Sequence, residues 1–308
     1  MLNHPAVGTI EPVRALASSA KPGVLAVITG IEGPSYRPLG ATMAILGNGS
    51  LVGSLSSGCI EADIALQAAE CLQKGQPASI VYGRGSPFAD IQLPCGGGLE
   101  ITLVPNPDQV VLQEVAERSA RRQACILTLD TTSGSLSIED DGETRRNNAV
   151  VMIRFEPETF FYVFGKGPET VSFSGLVQST GFPALVLSPD EETLMAVAET
   201  GCCTRHLTSA SFPKDLVLDQ FSAVVLFFHD HEWEPPILQR AVATEAFYIG
   251  AQGSHRAAAV RLSEMAALGT SASDLERIAG PIGLVPSVRD ARTLAVSVLA
   301  EILQKRLS

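Results

Sequence analysis

Short apolar runs separated by glycine-rich turns fill the first half of the chain, and this pattern predicts a domain of α+β character. A β-branched run at 24–31 predicts a strand, and the turn Gly47-Asn48-Gly49-Ser50 predicts a hairpin. Residues 60–74 carry apolar side chains at helical spacing and stop at Gly75, a common helix terminator. The other predicted elements are helices at 10–20 and 107–120 and strands at 41–46, 51–55, 78–82, 99–104, 124–129 and 149–153.

The second half changes to an alternation of strand and helix, which predicts a parallel sheet with crossover helices. We therefore predict an α/β fold with two domains, an α+β domain at 1–156 and a Rossmann-like parallel-sheet domain at 157–308. The boundary falls near Glu156-Pro157-Glu158. The strands of the second domain are predicted at 159–164, 184–187, 223–228 and 246–249, and a final helix at 288–307.

The composition of the chain limits the classes of binding partner and the cellular compartment that we expect. The chain has 22 basic and 33 acidic residues and a formal charge of −11, so its surface repels polyanions and nucleic acid is not an expected partner. The apolar runs are too short to span a membrane, and the N-terminus has no signal-peptide pattern. The six cysteines are scattered without a CxxC pair, which fits reduced thiols and a cytoplasmic location.

Two cysteines lie on turns of small residues. Cys59 follows Gly58 where a helix is predicted to start, and unpaired backbone N–H groups in a first helical turn favour a thiolate. This makes Cys59 a candidate nucleophile or soft metal ligand, although a small cysteine buried under the helix is the simpler interpretation. Cys95 precedes Gly96 and Gly97, which let the backbone approach a ligand closely and point N–H groups at an anion. Together, the two turns indicate a shared site.

These turns belong to a series of motifs that resembles the XdhC/CoxI family. The motifs of the first half are GPSYRPLGATM at 33–43, GSLSSGCIE at 53–61 and CGG at 95–97. Those of the second half are HDHE at 229–232, YIGAQGS at 248–254 and PIGL at 281–284. Six motifs in this order span nearly the whole chain and form a specific signal.

The resemblance implies an accessory protein that binds molybdenum cofactor (molybdopterin), protects it while a terminal sulfur is installed, and inserts it into an apo molybdenum hydroxylase of the xanthine dehydrogenase type. A cysteine desulfurase-type sulfur donor is the implied second partner. Cys59 would then contact the molybdenum or handle sulfur, and the sequence leaves both roles open. A homodimer is a further expectation, based only on the general preference for two-fold symmetry.

The second domain carries an incomplete dinucleotide fingerprint. Gly165 and Gly167 follow a predicted strand, but Thr170 stands at the third glycine position and Glu169 adds negative charge where a pyrophosphate would lie. Ser188 occupies the position at which the family usually offers an aspartate for a ribose. NAD(P) binding is therefore doubtful, although an NAD(P)-dependent oxidoreductase acting on a small molecule remains the alternative function.

Polar groups also follow the later strands of this domain. His229 and His231 are candidates for hydrogen bonding or proton transfer, because two histidines one residue apart on an extended segment point to opposite sides and would not both ligate one ion without a turn. A metal-dependent hydrolase built on them is a weaker third alternative, since the sequence lacks a ligand set such as HExxH. Gly253, Ser254 and Arg256 form the best candidate phosphate seat, with Ser254 predicted as a helix cap. Arg37 is the corresponding candidate in the first domain, where the simpler interpretation is a solvated surface residue.

Overall fold

The computed structural model describes residues 7–56, 58–84, 86, 96–229 and 232–307. The chain divides into two units, residues 1–157 and 158–308, and each has its own sheets and apolar cores.

The elements of the first unit are, in chain order, β1 (Val7–Gly8), α1 (Glu11–Ala17), β2 (Val24–Glu32), β3 (Thr42–Ile45), β4 (Leu51–Gly53), α2 (Glu61–Lys74), β5 (Ala78–Gly83), β6 (Gly98–Pro105), α3 (Gln109–Ala120), β7 (Cys125–Asp130), β8 (Leu136–Glu139), β9 (Arg145–Asn147) and β10 (Val150–Phe155). Five of them form an antiparallel sheet in the order β4-β3-β2-β6-β5. A second sheet has the order β1-β10-β7-β8, with β9 paired to β10.

The antiparallel sheet of the first unit buries both of its faces. Helix α2 packs Ile64, Ala68 and Cys71 against one face, and it ends at Gly75 in the left-handed conformation (φ +65°) that glycine adopts without strain. On the other face, α1, α3 and strands of the second sheet enclose a separate core. The sheet is therefore packed on both sides, and the loops at its ends are anchored to a rigid element.

The second unit is a six-stranded parallel sheet. Its elements are β11 (Phe160–Gly165), α4 (Pro168–Ser179), β12 (Ala184–Ser188), α5 (Glu191–Ala198), β13 (Cys203–His206), β14 (Ser222–Phe227), α6 (Glu234–Ala241), β15 (Tyr248–Ala251), α7 (His255–Ala267), α8 (Ala272–Leu275), β16 (Ile278–Ala279) and α9 (Ala291–Arg306). The strand order β13-β12-β11-β14-β15-β16 is the Rossmann order, so the predicted fold class is confirmed. Helices α4, α5 and α9 cover one face, and α6 and α7 cover the other.

The apolar pattern does not predict β1, β8, β9, β13 or β16. All three residues of β9 are exposed, β13 is mostly exposed at the sheet edge, and β1 and β16 have two residues each. These four strands carry no buried alternation and are held by backbone pairing with a neighbour, so they leave no apolar signal in the sequence. Strand β8 does alternate half-buried and exposed residues, but only over four positions. Within the described part of the chain, no helix has the length and apolarity needed to cross a bilayer.

Candidate functional site

Three loops leave the antiparallel sheet of the first unit at the same end. Gly53, the last residue of β4, lies opposite Met43 near the start of β3, whereas the last residues of β2 and β5 lie opposite the start of β6 at Gly98. The connections after β2, β4 and β5 therefore leave the sheet at one end, which we call the loop edge. These are the loops that carry Arg37, Cys59 and Cys95; Cys95 itself lies outside the described residues.

Cys59 is solvent-exposed and does not lie on the first helical turn, contrary to the prediction. The N-cap of α2 is Ile60, so Cys59 comes one residue before the cap. The difference arises because the chain turns at Gly58 (φ +102°), and the Ser56 hydroxyl accepts hydrogen bonds from the N–H groups of Cys59 (3.0 Å) and Ile60 (3.1 Å). The interpretation of a buried thiol under the helix is wrong, since Cys59 faces water.

The Glu61 carboxylate organises the loop that presents Cys59. It accepts hydrogen bonds from the hydroxyls of Ser54 (2.7 Å) and Ser56 (2.7 Å) and from the N–H groups of Leu55 (3.0 Å) and Ser56 (2.8 Å). Partial burial of Glu61 opposes its ionisation, but these hydrogen bonds outweigh it and lower the pKa of Glu61 to about 2. The predicted reach of Glu61 back towards the serines is confirmed, and it fixes the backbone on both sides of Cys59.

We expect the hydrogen bonds of the Glu61 carboxylate to stabilise the fold at neutral pH, and this stabilisation to be lost when Glu61 is protonated in acid. Because the folded pKa of about 2 lies below the reference value of 4.5, the stabilisation is complete above pH 4.5 and is lost as the pH falls towards 2. Allowing for solvent screening, Glu61→Gln should lower the free energy of unfolding by about 2 kcal/mol at pH 7 and by less than about 1 kcal/mol at pH 3, measured by urea unfolding. Glu70→Gln, an exposed change on the same helix, is the control. An equal loss at both pH values would contradict this prediction.

Gly97 lets two loops of the edge touch. A Cβ atom at this position would lie 2.0 Å from the Pro34 carbonyl oxygen, and the Gly97 carbonyl accepts a hydrogen bond from the Arg84 N–H (3.1 Å). Gly96, by contrast, has a positive φ (+71°), and no described residue lies within 4 Å of where its Cβ atom would be. Among the described residues, the close approach predicted for these glycines is therefore made at Gly97, by the neighbouring loop.

Arg37 lies exposed in the loop between β2 and β3. Its backbone is fixed by Ser35, whose hydroxyl donates to the Arg37 carbonyl (2.7 Å) and accepts from the Arg37 N–H (3.2 Å). The guanidinium makes no hydrogen bond or ion pair to the residues that the structure describes, so it is available to an anion at the loop edge.

In the second unit, the Gly-rich turn and His229 lie at the switch point between β11 and β14, where ligands of such sheets bind. The Gly167 N–H group at this crevice already has a hydrogen-bond acceptor within the protein. It donates to the Thr193 hydroxyl (2.9 Å), which in turn donates to the Asp190 carboxylate that caps α5. These Thr193 hydrogen bonds hold the pKa of Asp190 below its usual range.

The remaining groups at this crevice also suit a pyrophosphate poorly. The Glu169 carboxylate lies in the first turn of α4, 3.5 Å from His229 Nε2, where its charge opposes a phosphate. Thr170 is buried, with its hydroxyl 2.5 Å from where a Cβ of Gly165 would lie. Ser188 is also buried and accepts a hydrogen bond from the Asp190 N–H (3.1 Å). The residues present do not fit a dinucleotide.

His229 is largely exposed, and His231 lies outside the described residues. No cluster of three or more potential metal-binding side chains occurs among the residues whose placement is described.

The predicted phosphate seat follows β15. Ser254 caps α7 and accepts from the Ala257 N–H (3.2 Å), as predicted, while Arg256 is exposed in the first turn. A cavity of about 560 Å³ adjoins this turn and is lined also by Arg289 and His255.

Beneath this turn lies a buried ion pair that the sequence analysis missed. Arg261 and Glu234 are 2% and 1% exposed, with Arg261 Nε 2.8 Å from a Glu234 carboxylate oxygen. Arg261 also donates to the carbonyl oxygen of Gln252 (2.6 Å), so the pair joins the start of α6 to the loop after β15. The two charges are 27 residues apart, and no local pattern marks them as partners.

Comparison with known proteins agrees with this architecture. Residues 161–302 match the XdhC Rossmann domain, and residues 16–83 match the XdhC and CoxI family. The chain is 34% identical over 290 residues to the molybdenum cofactor insertion chaperone PaoD of Escherichia coli (strain K12), covering 94% of this chain and 85% of PaoD. It is 23% identical over 337 residues to a probable xanthine dehydrogenase subunit of Bacillus subtilis (strain 168), covering 95% of this chain and 96% of that protein.

A crystal structure of a xanthine dehydrogenase from Bacillus halodurans shares the fold. It superimposes with a TM-score of 0.78 at 22% identity and covers 96% of this chain and 95% of that chain. The resemblance inferred from the six motifs is thus confirmed: the chain belongs to the XdhC/CoxI family.

Proposed function

We propose that this protein binds molybdenum cofactor as cargo, protects it while its terminal sulfur is installed, and inserts it into an apo molybdenum hydroxylase of the xanthine dehydrogenase type. The observation that carries the proposal is the loop edge, where Cys59 stands exposed on a loop fixed by Glu61, beside the loops of Arg37 and Gly96. The 34% identity to a cofactor insertion chaperone supports the same role.

The chemistry of the loop edge suits this cargo. A thiolate is a soft ligand that matches a thiophilic metal, so Cys59 is proposed to contact the molybdenum end. Arg37 and the backbone N–H groups around Gly58, Gly96 and Gly97 would hold anionic groups of the cofactor. Cys95 is proposed as a second thiol of the site, on the strength of its position beside Gly96.

The second unit is proposed to contribute an anion seat and no dinucleotide site. Gly253, Ser254 and Arg256 offer a capped helix N-terminus with a cation beside it. Gly165 and Gly167 are left out of the proposed cofactor site, because the Gly167 N–H is engaged by Thr193. His229 at the switch point, and His231 two residues further along the sequence, remain candidates for proton transfer or hydrogen bonding.

This role requires no turnover by the protein itself, so we propose an accessory protein with no reaction of its own. Its proposed partners are the apo hydroxylase and a cysteine desulfurase-type sulfur donor. Self-association as a homodimer is proposed on symmetry grounds alone, and chromatography with light scattering would test it.

The experiment is anaerobic incubation of the purified protein with molybdenum cofactor, followed by desalting and quantification of the retained molybdenum and pterin. Near-stoichiometric retention, and activation of an apo hydroxylase by the loaded protein, are the expected results. Failure to retain cofactor would overturn the proposal. If titration with NADH or NADPH then gave saturable binding, the alternative of an NAD(P)-dependent oxidoreductase would take its place.

A further inference from the structure

A groove of about 530 Å³ opens at the loop edge of the first unit. It forms where β2 extends beyond the end of its pairing with β3. Strand β2 is paired with β3 only as far as Val27, but with β6 as far as Glu32. A bulge between Ile28 and Gly30 changes the register at this point. We call this cavity the β2–β6 groove; it is lined by parts of 29–32, 98–100, Leu39, Val81, Arg84 and Arg146.

The less exposed charges of the groove form an ion pair. Arg146 donates to the Glu100 carboxylate through both terminal nitrogens and to the Thr29 carbonyl oxygen (2.9 Å). Ser79 donates to the same carboxylate (3.3 Å). The hydrogen-bonding capacity of Glu100 is thus largely used within the protein, and Arg146 fixes its position.

The other two charged side chains of the groove, Glu32 and Arg84, are more exposed and only weakly paired. The side chains of Glu32 and Arg84 are both 62% exposed, and their closest nitrogen–oxygen distance is 3.8 Å. At this distance the two ions attract each other without a hydrogen bond, so both can turn to a ligand. Leu39 and Val81 add apolar lining beside them.

This combination selects the chemical class of the ligand. A simple anion would meet the carboxylates of Glu32 and Glu100, and a simple cation would meet the guanidinium groups of Arg84 and Arg146. The balanced charges favour a neutral ring with hydrogen-bond donors along one edge and acceptors along another. Two adjacent N–H donors match a carboxylate, a carbonyl oxygen matches a guanidinium, and apolar side chains pack on the ring faces.

A pterin has these features, because its 2-amino group and N3–H lie side by side next to the 4-oxo group. We propose that the β2–β6 groove binds the pterin ring of the cofactor, with Glu32 accepting from the amino-pyrimidinone edge and Arg84 donating to the oxo group. This rests on the proposed function for the identity of the cofactor. Glu32 directly precedes loop 33–41, so a pterin held here lies at the edge that carries the thiol loops.

The test uses pterin and lumazine, which differ in that lumazine has an oxo group in place of the 2-amino group. Titration monitored by ligand fluorescence should show wild type binding lumazine about tenfold or more weakly than pterin, because a charged acceptor loses its donor. Glu32→Gln should weaken pterin binding by a similar factor and remove the discrimination. Glu70→Gln, an exposed glutamate of α2 outside the groove, is the matched control and should change neither affinity.

Equal binding of the two ligands by wild type, no binding of either, or an unchanged pterin affinity in Glu32→Gln would overturn the assignment of the groove. Each outcome can be separated from failure of the proposed function. Retention of molybdenum cofactor without discrimination between pterin and lumazine would leave the chaperone role standing and remove the groove from it. Discrimination without retention of molybdenum would support a pterin groove in a protein of another function.

Discussion

Replacing Cys59 with alanine is expected to reduce the molybdenum that the protein retains after desalting by about tenfold or more, equivalent to about 1.4 kcal/mol or more of binding free energy. The reason is that the substitution removes the thiol that we propose as a soft ligand, from an exposed position at the loop edge. The loop itself should persist, because the Ser56 hydroxyl bonds the backbone N–H of Cys59 and not its side chain.

Two measurements make this prediction specific for the metal end of the cofactor. Metal-free molybdopterin should be retained equally by wild type and Cys59→Ala, because the thiol is proposed to touch the metal only. Cys203→Ala, which removes another exposed thiol in the second unit, should leave molybdenum retention unchanged. Unchanged molybdenum retention in Cys59→Ala would refute a metal contact at this position.

Glu234→Gln is expected to be the most destabilising single substitution considered. It leaves the Arg261 guanidinium buried without its counter-charge, which costs about 3–5 kcal/mol in the free energy of unfolding. Trp233, the single tryptophan, precedes Glu234 and stacks on Phe228, so its fluorescence reports urea unfolding at this place. Glu264→Gln, an exposed change on α7, is the control and should cost less than about 0.5 kcal/mol.

A double variant separates the charge from the packing. Glu234→Leu combined with Arg261→Met removes both charges, and it should be more stable than Glu234→Gln because apolar groups can replace a buried ion pair at little cost. Together with the single variants Glu234→Leu and Arg261→Met, the double variant forms a thermodynamic cycle. If the double variant were the less stable of the two, the hydrogen bond from Arg261 to the Gln252 carbonyl would be the dominant contribution instead.

Much of the fold follows from local patterns, whereas the arrangement of the site depends on long-range pairing. The stripe of Ile64, Ala68 and Cys71 and the stop at Gly75 predict α2 closely, because helix periodicity and glycine caps are local signals. The loop edge is different. Nothing in the sequence states that β6 pairs with β2 and β5, so the common position of the three loops is visible only in the sheet order.

The contacts of individual site residues are likewise predictable where they are local in sequence and unpredictable where they are long-range. The reach of Glu61 to the serines is predictable because it spans at most seven residues. The bond from the Gly167 N–H to Thr193 spans 26 residues, and the ion pair between Arg146 and Glu100 spans 46, so sequence spacing gives no signal for either. The sequence marks Gly97 as a place of close approach, but only the structure shows that the neighbour is the Pro34 carbonyl.

The bond between Gly167 and Thr193 also bears on how stability depends on metabolites. In a domain whose glycine turn binds a dinucleotide, the folded state gains about 2.7 kcal/mol when the ligand is present at a hundred times its dissociation constant. Here the chain supplies the acceptor from its own Thr193 hydroxyl, so the turn is satisfied without any ligand. If the turn binds no dinucleotide, as we propose, the stability of the second unit is independent of cellular dinucleotide levels, and we expect its abundance not to follow changes in the redox state of the nicotinamide pool.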